Sequence, residues 1–332
     1  MKALRVSLFL NSFSTLQYYF ARDIGGFLED VTDMRRLLER QSYIHELYLC
    51  FSFLRAYSFT RIDRMHWRQA LTRALDAAIQ RSCQDIVVSG TDQLNYLYEE
   101  PRDIDPTHRT TRSMKHKKVT LPPKYPNKLV TVCMFNAMLL RPTFFDWTTS
   151  TLHNASSTLK TLEIMCQKSI SAEYWQCLFE GLALPELTTF KTNQTMYETP
   201  PVGVSILRDF LLRHTHITSL ELHRVGCPDA KLMPLHDTPL FPRLVALSAH
   251  PSWVSALLSK MLASGSFITA ENAIIDLKSV VLSTNSHFSG VPNFDSFNRP
   301  FSRLLYSHRE AISPALCCLC TIATGTMASP TG

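Results

Sequence analysis

The sequence contains little glycine. Only 10 of its 332 residues are glycine, about 3% against an average of about 7%. Loops that cradle phosphate groups depend on glycine, so this scarcity argues against a nucleotide-binding fold. The sequence also lacks the motifs His-Glu-x-x-His and Gly-x-Ser-x-Gly and the glycine-rich phosphate loop. We therefore expect a protein without catalytic activity and without a cofactor.

Regular cysteine spacing and long apolar runs are also missing. The 9 cysteines are an odd number at irregular intervals, which does not fit a disulfide framework and favours a reducing compartment. No apolar stretch has the roughly 20 residues that a membrane-spanning helix needs. These features predict a cytoplasmic or nuclear protein without a membrane span. The segment after Glu310 carries no charge, and we expect residues 311–332 to form a disordered tail behind a domain of residues 1–310.

The positive charge is concentrated in one segment. The chain has a formal net charge of +6, from 34 basic and 28 acidic residues. Residues 102–128 hold eight Lys or Arg and two Asp, which gives this segment alone a net charge of +6. We interpret the segment as a solvated loop insertion, or alternatively as a site for a polyanion. The residues expected to contact a polyanion are Arg109, Arg112, Lys115, Lys117 and Lys118.

A short pattern, apolar-x-x-apolar-x-apolar, recurs along the chain. It occupies residues 44–49, 129–134, 159–164, 187–192, 217–222, 244–249 and 277–282. From Val132 onward the central apolar residues of successive copies lie 27 to 33 residues apart. Alternate apolar residues are typical of short strands that bury one face. Units of this length are close to the range of long leucine-rich repeats, so the spacing predicts a solenoid of stacked units.

Between these strands the apolar period changes to that of a helix. In the stretch RMHWRQALTRALDAAIQRS, apolar residues from Trp67 to Ile79 recur at offsets that form one helical face. The stretches FLEDVTDMRRLLERQ, SAEYWQCLFEGLA, PVGVSILRDFLLRH and PSWVSALLSKML behave alike. The sequence therefore predicts an α/β fold, an irregular horseshoe in which short parallel strands alternate with helices.

Two histidines, His214 and His216, lie at the end of one predicted helix. A cation is favourable near the C-terminus of a helix because of the helix dipole. We interpret the pair as such cations and expect no metal site.

The residues between the apolar strand positions face away from the core. If the register is right, several charged residues line the concave face of the horseshoe: Lys160, Glu163, Lys191, Glu221 and His223. Their mixed charge suits a protein partner better than a nucleic acid, so we expect protein binding at this face.

The segments LRDFLLRHTHITSLEL and FPRLVALSAHPSWVSALL resemble the fungal F-box and leucine-rich-repeat family, whose repeats are ribonuclease-inhibitor-like. The resemblance implies a horseshoe that selects substrates for a cullin-based ubiquitin ligase and an N-terminal F-box that binds a Skp-type adaptor. No F-box is recognisable in this chain, which opens on MKALRVSLFL. The Asn or Cys expected at the ninth repeat position is also replaced, by Gln167, Val225 and Ser252.

Taken together, the repeats and the resemblance predict a non-enzymatic recognition protein. It is expected to be a substrate-selecting protein of the F-box type or a truncated relative. The alternative is a nuclear or RNA-associated scaffold that acts through residues 102–128.

Overall fold

In the computed structural model, β-strands and α-helices alternate along the chain. The structure describes residues 7–11, 13–19, 24–51, 61–90, 127–140, 142–166, 172–194, 204–223, 225, 241, 243–250, 253–254, 256–257, 279–282 and 317–319. The chain divides into two compact units. The first comprises Met1–Leu159 and Cys166–Ile170, and the second comprises Lys160–Met165 and Ser171–Gly332.

The first unit is a sheet whose strands follow one another in chain order. Its elements are β1 (Ser7–Asn11), β2 (Phe13–Tyr19), α1 (Ile24–Arg40), β3 (Glu46–Cys50), α2 (Arg61–Gln80), β4 (Asp85–Ser89), β5 (Thr131–Met134), a 3-10 turn (Met138–Leu140) and α3 (Pro142–Asn154). Strands β2 to β5 are parallel. Their register aligns Leu47 with Ile86 and Ile86 with Val132, so the central residues of the sequence pattern meet in the sheet.

The second unit repeats this arrangement. Its elements are β6 (Thr161–Cys166), α4 (Ala172–Gly181), β7 (Thr189–Gln194), α5 (Val204–Arg213), β8 (Ser219–His223), β9 (Ala246–Ala249), β10 (Ser279–Leu282) and β11 (Cys317–Leu319). Strand β6 neighbours β7, and each pair from β7 to β11 is parallel. Phe190, Leu220 and Leu247 align across the sheet, as the spacing predicts. The α/β class and the alternation of parallel strands with helices are therefore confirmed, and the leucine-rich-repeat horseshoe stays a prediction.

One backbone carbonyl before each of several strands accepts two hydrogen bonds. The Thr188 carbonyl oxygen accepts from the backbone N–H groups of Thr218 and Ser219, at 2.8 and 3.0 Å. The same arrangement, with two N–H donors from the start of the next strand, is found at His45, Gln84, Lys160 and Thr218. These bonds fix the same register at each step, because they begin every parallel ladder at the same place.

Helix α2 buries one face, although not quite the one that the sequence pattern predicts. Trp67, Leu71 and Ala74 are buried as expected. Ile79 was expected in the buried face, but it is half-buried and Ala77 is buried instead. Helix α3 packs on the start of this face, where the Phe144 ring meets the Trp67 ring edge-on, with the centroids 5.1 Å apart.

The core of the second unit is largely aromatic. Phe179 of α4 contacts Phe190 of β7 and Phe210 of α5, with ring centroids 5.9 and 4.7 Å apart. Trp175 stacks on Phe179 at 5.3 Å. Burying a large apolar side chain stabilises the fold by about 1.5–3 kcal/mol. These rings therefore join the two helices to the sheet.

Three features differ from the sequence-based predictions. The first described strand, β1, pairs antiparallel with β2, without a helix between them. Helix α3 was not recognised, although Pro142 at its first position is a common start signal. Within the predicted disordered tail, Cys317–Leu319 form β11 beside β10, so the expectation does not hold for these three residues.

Most of the cysteines whose side chains are described lie in the core. Cys50, Cys83 and Cys133 are buried, and Cys177 is exposed. Burial raises the pKa of the Cys83 thiol to about 12, so this thiol is protonated at neutral pH. Among the described residues, no helix combines the length and the hydropathy that crossing a membrane requires.

Candidate functional site

The strand face that points away from the core is polar in the second unit. In β8 the core-facing Leu220 and Leu222 are fully buried, whereas Ser219, Glu221 and His223 are half-buried. Neighbouring strands show the same alternation. Since side chains alternate between the two faces of a strand, the intervening polar residues share one face.

Charged side chains on this face meet across three strands. Lys191 of β7 aligns with Glu221 of β8, and the Lys160 carbonyl bonds place Glu163 in the same row. The Lys191 Nζ lies 3.0 Å from Glu163 Oε1 and 3.4 Å from Glu221 Oε1. Adjacent strands lie roughly 4.8 Å apart, so a long lysine side chain can reach a carboxylate on either side.

His223 extends this contact toward β9. Its Nε2 lies 3.7 Å from Glu221 Oε2 and 3.3 Å from the Ser248 hydroxyl oxygen. Ser248 aligns with Glu221 in the register of β8 and β9. We call Glu163, Lys191, Glu221 and His223 the strand-face cluster.

The electrostatics of the strand-face cluster hold its charges in place. Partial burial acts to lower the pKa of Lys191, but the Glu163 and Glu221 carboxylates raise it overall. The His223 ring is the largest cause that lowers the pKa of Glu221; partial burial opposes it, and the Lys191 charge adds to the lowering. Both shifts move the groups away from neutral pH, whereas general acid–base catalysis needs a pKa near it. Lys191 and Glu221 therefore keep their charges at neutral pH.

The structure brings together four of the five residues predicted for the binding face. Glu163, Lys191, Glu221 and His223 are linked, as described above. Lys160 is exposed and precedes β6, where its backbone carbonyl serves the sheet and its side chain lies outside the cluster. The residues predicted to bind a polyanion, which are Arg109, Arg112, Lys115, Lys117 and Lys118, lie outside the described residues.

Sequence reasoning missed one neighbour of the cluster. Ser248 occupies the same position in segment 244–249 as Glu221 does in segment 217–222. Aligning the repeats position by position would have found it, because residues at equivalent positions become neighbours in a parallel sheet.

The interpretation of His214 as a helix-terminal cation is wrong. The ring is 3% exposed, and burial lowers its pKa to about 4, against an ordinary value of 6.5. It is therefore neutral near pH 7. Its environment could not be read from the sequence, because Leu184, which contacts its Nε2, comes from the preceding repeat.

The outward face of the first unit uses hydrogen bonds more than ion pairs. The Ser89 hydroxyl donates to the Tyr48 hydroxyl oxygen at 2.7 Å, and Thr15 donates to Glu46 at 3.3 Å. A His45–Asp85 contact of 3.5 Å lies at the start of β3 and β4. These contacts join neighbouring strands but do not form an alternating row of charges.

The part of the chain that the structure describes holds no group of three or more His, Cys, Asp or Glu side chains arranged to bind a metal ion. Comparison with protein-family models and with curated proteins finds no match for this chain.

Proposed function

We propose that this protein is a non-enzymatic recognition protein that binds another protein through the outward face of β6 to β9. The observation that carries the proposal is the strand-face cluster, in which three strands contribute charges of alternating sign at contact distances of 3.0 and 3.4 Å. The sheet holds these charges in a fixed row, and a fixed charge pattern favours a partner with the complementary pattern.

A protein partner fits this face better than a nucleic acid does. Two carboxylates flank the single lysine of the row, so a phosphate backbone would meet repulsion on both sides. A protein surface can offer cations opposite Glu163 and Glu221 and an anion opposite Lys191. Complementarity of this kind mainly sets specificity and the rate of association.

The resemblance to the F-box and leucine-rich-repeat family supports a more specific proposal. The recognised protein is then a substrate of a cullin-based ubiquitin ligase, delivered through a Skp-type adaptor. The identity of the bound proteins distinguishes this ligase role from protein recognition without a ligase. Recovery of the adaptor and a cullin supports the ligase role, and their absence beside a specific partner contradicts it.

The test is affinity purification of the tagged full-length chain from cells that express it, with partners identified by mass spectrometry. The double variant Glu163→Gln/Glu221→Gln removes two charges from the face and keeps the side-chain shape. We expect it to retain at least about tenfold less partner, equivalent to about 1.4 kcal/mol of binding free energy.

The matched control is Glu180→Gln/Glu186→Gln, which removes the same charge from two exposed positions in α4 and in the turn after it. We expect this control to retain the partner as the unmodified chain does. Equal loss in both variants, or no loss in either, contradicts recognition through the strand-face cluster.

A second candidate function is a nuclear or RNA-associated scaffold that acts through residues 102–128. The observation in its favour is that this segment has a net charge of +6, equal to that of the whole chain. Binding of a polyanion through such a segment weakens steeply with added salt, because counterions compete for the phosphates. A partner retained in high salt therefore favours the strand face over the basic segment.

A further inference from the structure

His214 joins two successive repeats of the second unit. It follows α5, and its side chain reaches back to the turn between α4 and β7. Its Nε2 lies 2.9 Å from the backbone nitrogen of Leu184, and its Nδ1 lies 2.6 Å from the Phe210 carbonyl oxygen. The ring also packs on Phe210, with the centroids 4.1 Å apart.

These two contacts determine the tautomer. A backbone N–H can only donate, so Nε2 must be the unprotonated acceptor for Leu184. A carbonyl oxygen can only accept, so Nδ1 must carry the proton. The neutral Nδ1–H tautomer satisfies both contacts, whereas a proton on Nε2 would face the Leu184 N–H.

We propose that His214 is a proton-sensitive clamp that fixes the α4–β7 turn to the end of α5, and that protonation of its ring releases this turn. The neutral ring holds the turn, and the charged ring loses its bond to Leu184 and leaves a buried cation. Strand β7, which carries Lys191, begins after this turn and is held separately by its ladder with β8.

The surrounding charges oppose protonation of the folded ring. Burial is the largest cause of the lowered pKa; the hydrogen bond to Phe210 acts against it, and the positive charge of the adjacent Arg213 adds to the lowering. Arg213 is itself a link to the previous repeat, since its guanidinium donates to the Phe179 carbonyl oxygen. Among the other ionisable groups around the site, Glu180 of α4, Glu186 of the turn and His216 are exposed to solvent.

The sign of the pH effect follows from linkage. The pKa of the ring is about 4 in the clamped state, against an ordinary value of 6.5. In the proposal, release of the turn opens the ring to water and returns its pKa toward the ordinary value, so the released state binds more protons between pH 6.5 and 4. The clamp is therefore fully stable above pH 6.5, weakens as the pH falls from 6.5 to 4, and weakens no further below pH 4.

Amide hydrogen exchange of the full-length chain tests this clamp. After correction for intrinsic exchange, we expect protection of the Leu184 amide to fall about tenfold for each pH unit between 6.5 and 4. The Ser219 amide, which donates to the Thr188 carbonyl, serves as the reference and should keep its protection. The variant His214→Gln should remove the pH dependence at Leu184, and the exposed His216→Gln should leave it unchanged.

Three results would overturn the proposal. Protection at Leu184 that does not change with pH contradicts the clamp, and so does a pH dependence that survives in His214→Gln. An equal loss of protection at Leu184 and Ser219 shows unfolding of the unit rather than release of the turn. Nitrogen-15 spectra of the ring in the unmodified chain provide a test that does not depend on the folding of the variant, because they must show the proton on Nδ1.

Discussion

Single buried polar atoms limit the stability of the second unit. Thr192 lies on the core side of β7, beside Leu222 of β8, and is 0% exposed. Its hydroxyl finds no hydrogen-bond partner among the described residues. A buried polar group without a partner loses its bonds to water and gains nothing in return, which costs about 1–3 kcal/mol.

Replacing this hydroxyl with a methyl group should stabilise the fold. We expect Thr192→Val to raise the free energy of unfolding by about 1 kcal/mol, because valine has nearly the same shape and keeps a high strand propensity. Chemical denaturation monitored by circular dichroism measures the change. The control is Thr189→Val on the half-buried face of the same strand, where the expected change is below about 0.5 kcal/mol. Destabilisation by Thr192→Val would show that the hydroxyl has a partner.

Elements of successive repeats are joined by side chains that bind backbone groups. The Asn136 amide after β5 is 1% exposed; it donates to the Ser89 carbonyl oxygen of β4 and accepts from the Met138 N–H, at 3.0 and 3.1 Å. Arg81 after α2 likewise donates to the Glu39 carbonyl oxygen at the end of α1. Such bonds satisfy backbone groups that the ladders and helices leave open at their ends.

Removing the Asn136 amide should therefore weaken the first unit. We expect Asn136→Ala to lower the free energy of unfolding by about 2–3 kcal/mol, since the buried Met138 N–H loses its acceptor. Thermal and chemical denaturation measure this loss. Asn154→Ala at the end of α3 is the matched control and should change stability by less than about 0.5 kcal/mol. A small effect of Asn136→Ala would mean that water replaces the lost bonds.

The strands could be predicted from the sequence more fully than their connections. Alternate apolar residues such as Leu220 and Leu222 predict a strand with one buried face. The near-constant interval between successive copies of the pattern predicts that equivalent residues align in the sheet. The β1–β2 hairpin departs from that interval and could not be read from it. The sequence also did not predict that Asn136 links backbone groups of two repeats, because this residue stands at the eighth repeat position, where no amide was expected. Its effect depends on Ser89, which is 47 residues away.

The sequence predicts which face of the sheet carries the candidate site residues, but it does not predict which of their side chains contact one another. Alternation along β7 and β8 is enough to place Lys191, Glu221 and His223 on one side of the sheet. Only the register between strands shows that Lys191 stands between two carboxylates. The core position of His214 could not be foreseen, because a helix-terminal histidine looks the same in sequence whether it faces solvent or the neighbouring repeat.

At the scale of the whole molecule, the net positive charge lies in one segment of the sequence, residues 102–128, which interrupts the series of repeats. Strand β4 ends at Ser89, and the chain is described again from Asn127. The Asn127 side chain donates to the Thr151 carbonyl and accepts from the Leu129 N–H, both at 3.0 Å. These buried bonds secure the entry to β5 from within the described residues.

Deleting residues 102–126 and inserting a Gly/Ser linker of equal length should leave the fold intact. The deletion removes seven basic and two acidic residues and so lowers the net charge from +6 to +1. We expect the midpoint of thermal unfolding to stay within about 2 °C, because we interpret the segment as a solvated loop insertion and such loops contribute little to stability. Retention on a heparin column should fall sharply. An unchanged salt dependence of heparin binding would contradict the polyanion role of this segment.

The two hydrogen bonds that one backbone carbonyl accepts at the start of several ladders also affect which insertions and deletions of whole repeats the fold can tolerate. Thr188 and Thr218 are both threonines, and the backbone carbonyl of each accepts two hydrogen bonds from the N–H groups at the start of the next strand. Loss of codons 189–218 would join Thr188 directly to Ser219, and the Lys160 carbonyl would again meet a threonine and a strand start. An in-frame duplication of the same stretch would add one more equivalent step. The length of the array can therefore drift by whole units during evolution while each surviving junction keeps its backbone partners.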